Sequence, residues 1–139
     1  MANKSNNFRK MTFPSDAEYL EKIEKMSSDI ATKAGFDEST VDDLSIALTE
    51  LVNNAIHHGN RNDVNKSVTV TFKVDETKIT ISVTDEGNGF SPNNISDPLH
   101  PDNLMADSGR GIYLVRALMD EVDYKITAKG TKVIIIKNK

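Results

Sequence analysis

Residues 47–60, ALTELVNNAIHHGN, limit what this chain can fold into more than any other stretch. The segment has no Gly or Pro before Gly59, and its apolar residues recur at helical spacing. At about 100° per residue, Val41, Leu44, Leu48, Leu51, Val52 and Ala55 gather on one face. Such a helix has to bury that face against a second layer. Glu50, Asn54 and His57 share the neighbouring stripe, with Glu50 and Asn54 only about 40° apart, so that their side chains point the same way. Two readings of that flank stay open on spacing alone: a solvated surface, or the wall of a ligand site. In a site, the Asn oxygen suits Mg²⁺ and the Glu suits a general base.

The remainder of the chain supplies the second layer. Residues 8–13 read as a short edge strand stopped by Pro14. Ser15 with Glu18 fits a capping box for a first helix over about 16–34, with Leu20, Ile23, Ile30, Ala31 and Ala34 on its apolar stripe and Gly35 as its stop. Asp37, Ser39 and Asp42 open the second helix, and Gly59 is read as its terminator. Residues 67–74 and 78–84 alternate at period two around a turn at Asp75-Glu76-Thr77, with Val68, Val70, Phe72 and Val74 facing Ile79, Ile81 and Val83. Residues 91–108 contain three prolines and no sustained period, and a loop of that length reads as a lid. A third helix opens at Gly109-Arg110-Gly111 and buries Ile112, Val115, Leu118 and Met119. Residues 121–127 and 131–137 form a closing hairpin, the apolar run at Val133 to Ile136 marking an interior strand. This order predicts an α+β fold, a two-layer sandwich with about three helices on one face of a mixed, mostly antiparallel five-stranded sheet.

Size and composition fit one globular domain. The chain has 139 residues, enough for one core and too few for two, so residues 8–139 are expected to form a single domain behind a disordered stretch at 1–7. No apolar run approaches the ~20 residues of a membrane span, and the first ten residues lack the apolar core of a signal peptide. A soluble, cytoplasmic protein is expected. The absence of cysteine excludes disulfides, thiolate metal sites and cysteine nucleophiles. A net charge of −4 argues against a binder of nucleic-acid backbones. Nor is there a P-loop or an H-R-D catalytic loop.

Three segments carry chemistry. Asp85 follows directly on a strand and is flanked by Gly87 and Gly89 in DEGNG. A carboxylate there can accept a hydrogen bond from an amine, and the glycines let a flat heterocycle such as adenine approach the backbone. The same letters also make an ordinary turn. Gly109-Arg110-Gly111 at a helix start exposes backbone N–H groups at the positive end of the helix dipole, which suits phosphate. It also reads as a flexible helix entry.

Taken together and in this order, the segments resemble the GHKL ATPases, the superfamily of gyrase, MutL and the histidine kinases. ELVNNAIHHGN is similar to the N box, TDEGNGF to the first glycine box and SGRGIYLVRALMD to the second. The short chain lacks the phosphoacceptor helix pair of a complete histidine kinase, and the wording of its motifs is similar to the stand-alone anti-sigma regulatory serine/threonine kinases, the RsbW-like group. That resemblance implies the Bergerat ATP-binding fold, with ATP and Mg²⁺ as cofactors. It further implies Asn54 on the metal, Asp85 on the adenine amine, and Gly87, Gly89, Gly109 and Gly111 shaping the pocket, Arg110 lying on phosphate or the partner surface. Glu50 is implied as general base toward a serine or threonine of an anti-anti-sigma, STAS-type partner. Sequestration of a sigma factor and dimerisation are implied likewise, without direct contact to nucleic acid or membrane. The alternative is a nucleotide-responsive binding module that transfers no phosphate.

Overall fold

The structure is a computed structural model, and it describes residues 8–87, 109–127 and 129–139, the backbone alone at 109–112 and at Thr127. Strands β1 (Phe8–Pro14), β2 (Ser67–Val74), β3 (Lys78–Asp85), β4 (Glu121–Thr127) and β5 (Gly130–Asn138) form one sheet in the order β1-β2-β3-β5-β4. Helices α1 (Leu20–Lys33), α2 (Glu38–Asn54) and α3 (Gly109–Leu118) accompany it, with α2 packed between the other two. Every pairing among the described strands is antiparallel, so the parallel component allowed for in a mixed sheet does not occur there. β2–β3 and β4–β5 are hairpins, helices join β1 to β2 and β3 to β4, and β5 lies between β3 and β4 with Val133 and Ile135 buried.

The core follows from two periodicities meeting. Val68, Val70 and Phe72 of β2 stand opposite Asp85, Val83 and Ile81 of β3, and Ile81 and Val83 stand opposite Ile135 and Val133 of β5. These apolar residues are buried, as are Val41, Leu44, Leu48, Leu51, Val52 and Ala55 from the helical stripe. Burying a side chain of this size contributes about 1.5 to 3 kcal/mol before chain entropy is charged against it.

The ends of α1 show where local chemistry was legible and where it was not. Gly35, at φ 94°, closes the helix: its N–H donates to Thr32 O, and the N–H of Phe36 donates to Ala31 O. This paired arrangement with a left-handed glycine is the Schellman motif. At the other end the expected capping box is absent. Asp16 caps a short 3₁₀ turn (Ala17–Tyr19) by accepting from the N–H of Glu18 at 3.0 Å, and α1 starts only at Leu20. Ser15 is drawn elsewhere, because its hydroxyl donates to Lys66 O at 2.7 Å and accepts from Asn60.

Asn60 joins three segments, at Ser15, Ser67 and Glu86, through one amide. Its Nδ2 donates to Ser15 Oγ at 2.8 Å and to Ser67 O at 2.9 Å, while its Oδ1 accepts from the N–H of Glu86 at 2.8 Å. Glu86 returns the connection by accepting from Ser67 N–H at 2.6 Å. Asn60 is 1% exposed and Ser15 3%, so the bond between them is closed to water, whereas the bonds to Ser67 O and Glu86 N–H are part-buried. Asn60→Ala should cost about 1 to 3 kcal/mol, chiefly through the buried bond to Ser15. Urea unfolding measures this directly. A loss of less than about 0.5 kcal/mol would show that the strand ends are held by other means.

Candidate functional site

The site is assembled at the C-terminal end of β3. Ile79, Ile81 and Val83 point to the core side, and the same alternation places Asp85 next in that row, opposite Val68 on β2. A carboxylate therefore stands where the pattern calls for another core residue, and it is 8% exposed. Its Oδ1 accepts from Gly87 N–H at 3.0 Å and from Thr131 N–H at 3.1 Å. Burial pushes the Asp85 carboxyl above the usual carboxylate range. The two N–H groups and the charge of Lys66 oppose that shift without cancelling it.

Glycine surrounds this carboxylate on three sides. A methyl group on Gly59 would collide with Asp85 Oδ2, and one on Gly87 would collide with the carbonyl oxygen of Gly59. Gly130, at φ 150°, approaches the Asp85 carbonyl so closely that a methyl group there would strike it. Gly59 is thus not the helix terminator expected from sequence. Left-handed backbone after this helix falls instead on Arg61 and Asn62, at φ 53° and 61°. The role of Gly59 is to let the helix end approach Asp85.

Between α2 and Gly59 the chain widens into a π-helical turn, Ala55–Gly59, which packs against β3 and β5. Insertions of this kind occur frequently at functional sites. Asn54 lies where the α-helix gives way to this turn, and its Nδ2 is buried without a hydrogen-bond partner in the described structure. A buried orphan amide is costly unless a ligand or solvent meets it. Glu50, one turn earlier on the same stripe, is partly buried. His57, further along, turns its Nδ1 to Asn62 Oδ1 at 2.6 Å and helps shape the loop.

The structure places the remaining expected residues as follows. Gly109, Arg110 and Gly111 form the first turn of α3, which packs beside α2. Gly89, the side chain of Arg110 and the expected lid at 91–108 lie outside the described residues. Sequence reasoning passed over Asn60, Gly130 and Thr131, and it gave Gly59 a different role. The one available signal was the period-two alternation of β3, which runs one residue past Thr84 and predicts that Asp85 faces inward.

These residues fit a nucleotide carried with a divalent cation. The buried carboxylate offers an acceptor in a glycine-lined recess, and Asn54 has an unpartnered Nδ2 donor and, on the same side chain, an oxygen of the hard kind that suits Mg²⁺. Among the described residues, no three His, Asp or Glu side chains converge to cage an ion. One protein oxygen plus phosphate and water oxygens is the coordination Mg²⁺ commonly takes with nucleotides. Among the described residues, too, no helix is long and apolar enough to cross a membrane.

Known proteins share this fold. The family model described as the histidine kinase-like ATPase domain matches residues 13–137. Serine-protein kinase RsbW of Bacillus subtilis is 32% identical over 118 residues, spanning 81% of this chain and 74% of its own length. Serine-protein kinase RsbW of Bacillus licheniformis is 33% identical over 127 residues, spanning 87% of this chain and 79% of its own. Among solved structures, the RsbU and RsbW domains of Rv1364c from Mycobacterium tuberculosis align with a TM-score of 0.69 at 20% identity, over 94% of this chain and 32% of that one. The catalytic domain of histidine kinase ThkA aligns at 0.59 and 16% identity, over 94% of this chain and 97% of its own. At such identities the structures establish a common fold, and the two kinases narrow the relationship further. With the family model covering nearly the whole described fold, the chain belongs to the histidine kinase-like ATPase domains, among the relatives of the RsbW serine-protein kinases.

Proposed function

We propose that this chain is an ATP-dependent protein serine/threonine kinase that phosphorylates an anti-anti-sigma, STAS-type partner and sequesters a sigma factor when that partner is phosphorylated. The observation that carries the nucleotide site is the buried Asp85 carboxylate in its glycine recess, beside a helix end whose Asn54 Nδ2 has no partner. The names of the RsbW relatives support the reaction class.

Bound Mg²⁺-ATP supplies the phosphoryl group, with the cation offsetting charge on the phosphates. In this reading Asp85 accepts the adenine amine, and Gly87 and Gly89 keep the approach open. Asn54 would contribute an oxygen to the cation. The backbone N–H groups at Gly109, Arg110 and Gly111 would hold the phosphates, as free N–H groups at a helix start do for anions. Glu50, on the Asn54 side of α2, would take the proton of the partner's hydroxyl, whose oxygen bonds to the terminal phosphorus as the bond from that phosphorus to the departing ADP breaks.

Asp85 links function to stability with opposite signs. Its folded pKa is raised, so its contribution to stability is fully present below the unfolded pKa and is lost as pH rises through the folded one. At neutral pH the charged group costs stability and is retained for binding. Asp85→Asn keeps an oxygen for the Gly87 and Thr131 N–H groups. It should therefore melt at the wild-type temperature or higher at pH 7, with that advantage shrinking toward acid. ATP affinity should nevertheless fall roughly ten- to hundredfold, the loss of a charge-assisted hydrogen bond of about 1.5 to 3 kcal/mol. Calorimetry showing undiminished ATP binding would remove the adenine assignment. A lowered melting temperature at pH 7 would show that the carboxylate stabilises the fold.

Asn54→Ala should abolish most of the gain in ATP affinity that Mg²⁺ confers while sparing binding in EDTA. Equal Mg²⁺ dependence in the variant and the wild type would remove Asn54 from the metal.

Glu50→Gln separates a kinase from a binding module. The variant should bind ATP and the STAS-type partner almost as the wild type does, yet phosphorylate that partner at least about a hundredfold more slowly. Transfer at full rate would leave the kinase standing without Glu50 as base. No transfer by the wild type to any STAS-type partner would favour the nucleotide-responsive binding module.

A further inference from the structure

The two oxygens of the Asp85 carboxylate are used differently. Oδ1 accepts both N–H groups, from Gly87 at 3.0 Å and from Thr131 at 3.1 Å. Oδ2 receives neither of them and lies over Gly59, where a β-carbon would collide with it. With two donors already on Oδ1, a proton taken up by this carboxyl resides on Oδ2. Oδ2 is therefore the atom whose state a base in the recess reads.

That state decides which purine fits. An ionised Oδ2 accepts from an exocyclic amine, as on adenine, and repels the oxygen that hypoxanthine and guanine carry at the same ring position. A protonated Oδ2 donates to that oxygen and loses the charge that strengthens its bond to an amine. Burial favours the protonated form. The N–H groups on Oδ1 oppose it, and a positive charge nearby opposes it further.

Lys66 is placed to supply that charge. The register that sets Val68 of β2 opposite Asp85, carried two residues further, sets Lys66 across from Gly87 in the row of Val68 and Asp85. Gly87 puts no side chain between them. The backbone of Lys66 is pinned on both sides: its N–H donates to Asp63 O at 2.9 Å, and its carbonyl accepts from Ser15 N–H at 3.1 Å and Ser15 Oγ at 2.7 Å. The side chain is partly buried, and among the described residues its ammonium closes no ion pair. Other titratable groups stand on the elements around the carboxylate: Glu86 next in the chain, His57 and His58 on the π-helical turn, and Lys129 and Lys132 on either side of Thr131. Glu86 spends an oxygen on Ser67 N–H, and the charge that acts on Asp85 is that of Lys66.

We propose that Lys66 sets the base specificity of the site: its ammonium keeps Oδ2 of Asp85 an acceptor, and so selects a purine that bears an amine over one that bears an oxygen. Lys66 is a positioning residue that acts through Asp85 without touching the base. The inference rests on the reading of Asp85 as the adenine contact.

The test compares ATP with inosine triphosphate, by calorimetry on the full chain, at about pH 8 and at about pH 5.5. The wild type should prefer ATP at both. Lys66→Met keeps the aliphatic stem and removes the charge. It should match the wild type at about pH 8 and lose at least about threefold of the preference at about pH 5.5, because Oδ2 then takes up its proton at a higher pH than in the wild type. Lys66→Gln should repeat this result, and Lys66→Arg should restore the wild-type profile. Asp85→Asn, whose Nδ2 stands where Oδ2 stood, should prefer inosine triphosphate at both pH values. The proposal is overturned if Lys66→Met and Lys66→Gln keep the wild-type preference throughout. It is overturned equally if they weaken both nucleotides alike, which is the mark of a direct contact with the phosphates. Either result leaves the adenine contact standing as long as Asp85→Asn inverts the preference. An Asp85→Asn variant that keeps the wild-type preference overturns the adenine contact and the role of Lys66 together.

Discussion

A carboxylate buried at the core-facing end of β3 is the constraint on which the site depends. Asp85 is delivered there by strand alternation, which cannot turn one residue outward without breaking the row of Ile79, Ile81 and Val83. Desolvation then requires that the charge be met, and the N–H groups of Gly87 and Thr131 meet it from two different segments. Three close backbone approaches follow, and each needs a residue without a β-carbon: Gly59 from the helix end, Gly87 from the strand exit and Gly130 from the last hairpin. A site with this little tolerance for side-chain atoms brings α2, β3 and β5 to one place.

Asn60 is the counterpart of that constraint on the other side of the strand end. By satisfying Ser15, Ser67 and Glu86 with one buried amide, it fixes the exit of the π-helical turn relative to β1, β2 and the residue after Asp85. Fully partnered buried amides of this kind specify one arrangement among several of similar compactness. Asn54, six residues earlier, presents the opposite case, a buried amide end left without a partner. The same residue type therefore serves two ends within six residues: a satisfied amide that organises the fold and one with an unpartnered end that suits a ligand.

The buried negative charge belongs to the recess at the end of β3, whereas the surface of α1 carries acids and lysines at i to i+4 spacing. Edge strands are commonly protected by lysine and arginine, and Arg9 and Lys10 on β1 serve that purpose whatever else they do.

Periodicity made the elements legible from the residues alone. The helical stripe from Val41 to Ala55, the two alternating strands and the left-handed Gly35 are local, and neighbouring residues suffice to determine them. The order of the three motif segments carried the family, because Asn54, Asp85 and the Gly109 turn are each marked by residue type and spacing. What neighbours could not decide was the use of a residue by a distant partner. Ser15 has the letters of a cap and is taken instead by Lys66 and Asn60; Gly59 has the letters of a helix stop and serves as clearance for Asp85. Gly130 and Thr131 lie 46 positions or so from the carboxylate they surround, and nothing near them in the chain announces it. The sequence by itself determined which segments form helices and strands, since those preferences act within a few residues. The tertiary structure decided which backbone groups meet the buried charge, since desolvation acts through space on whatever the fold brings within reach.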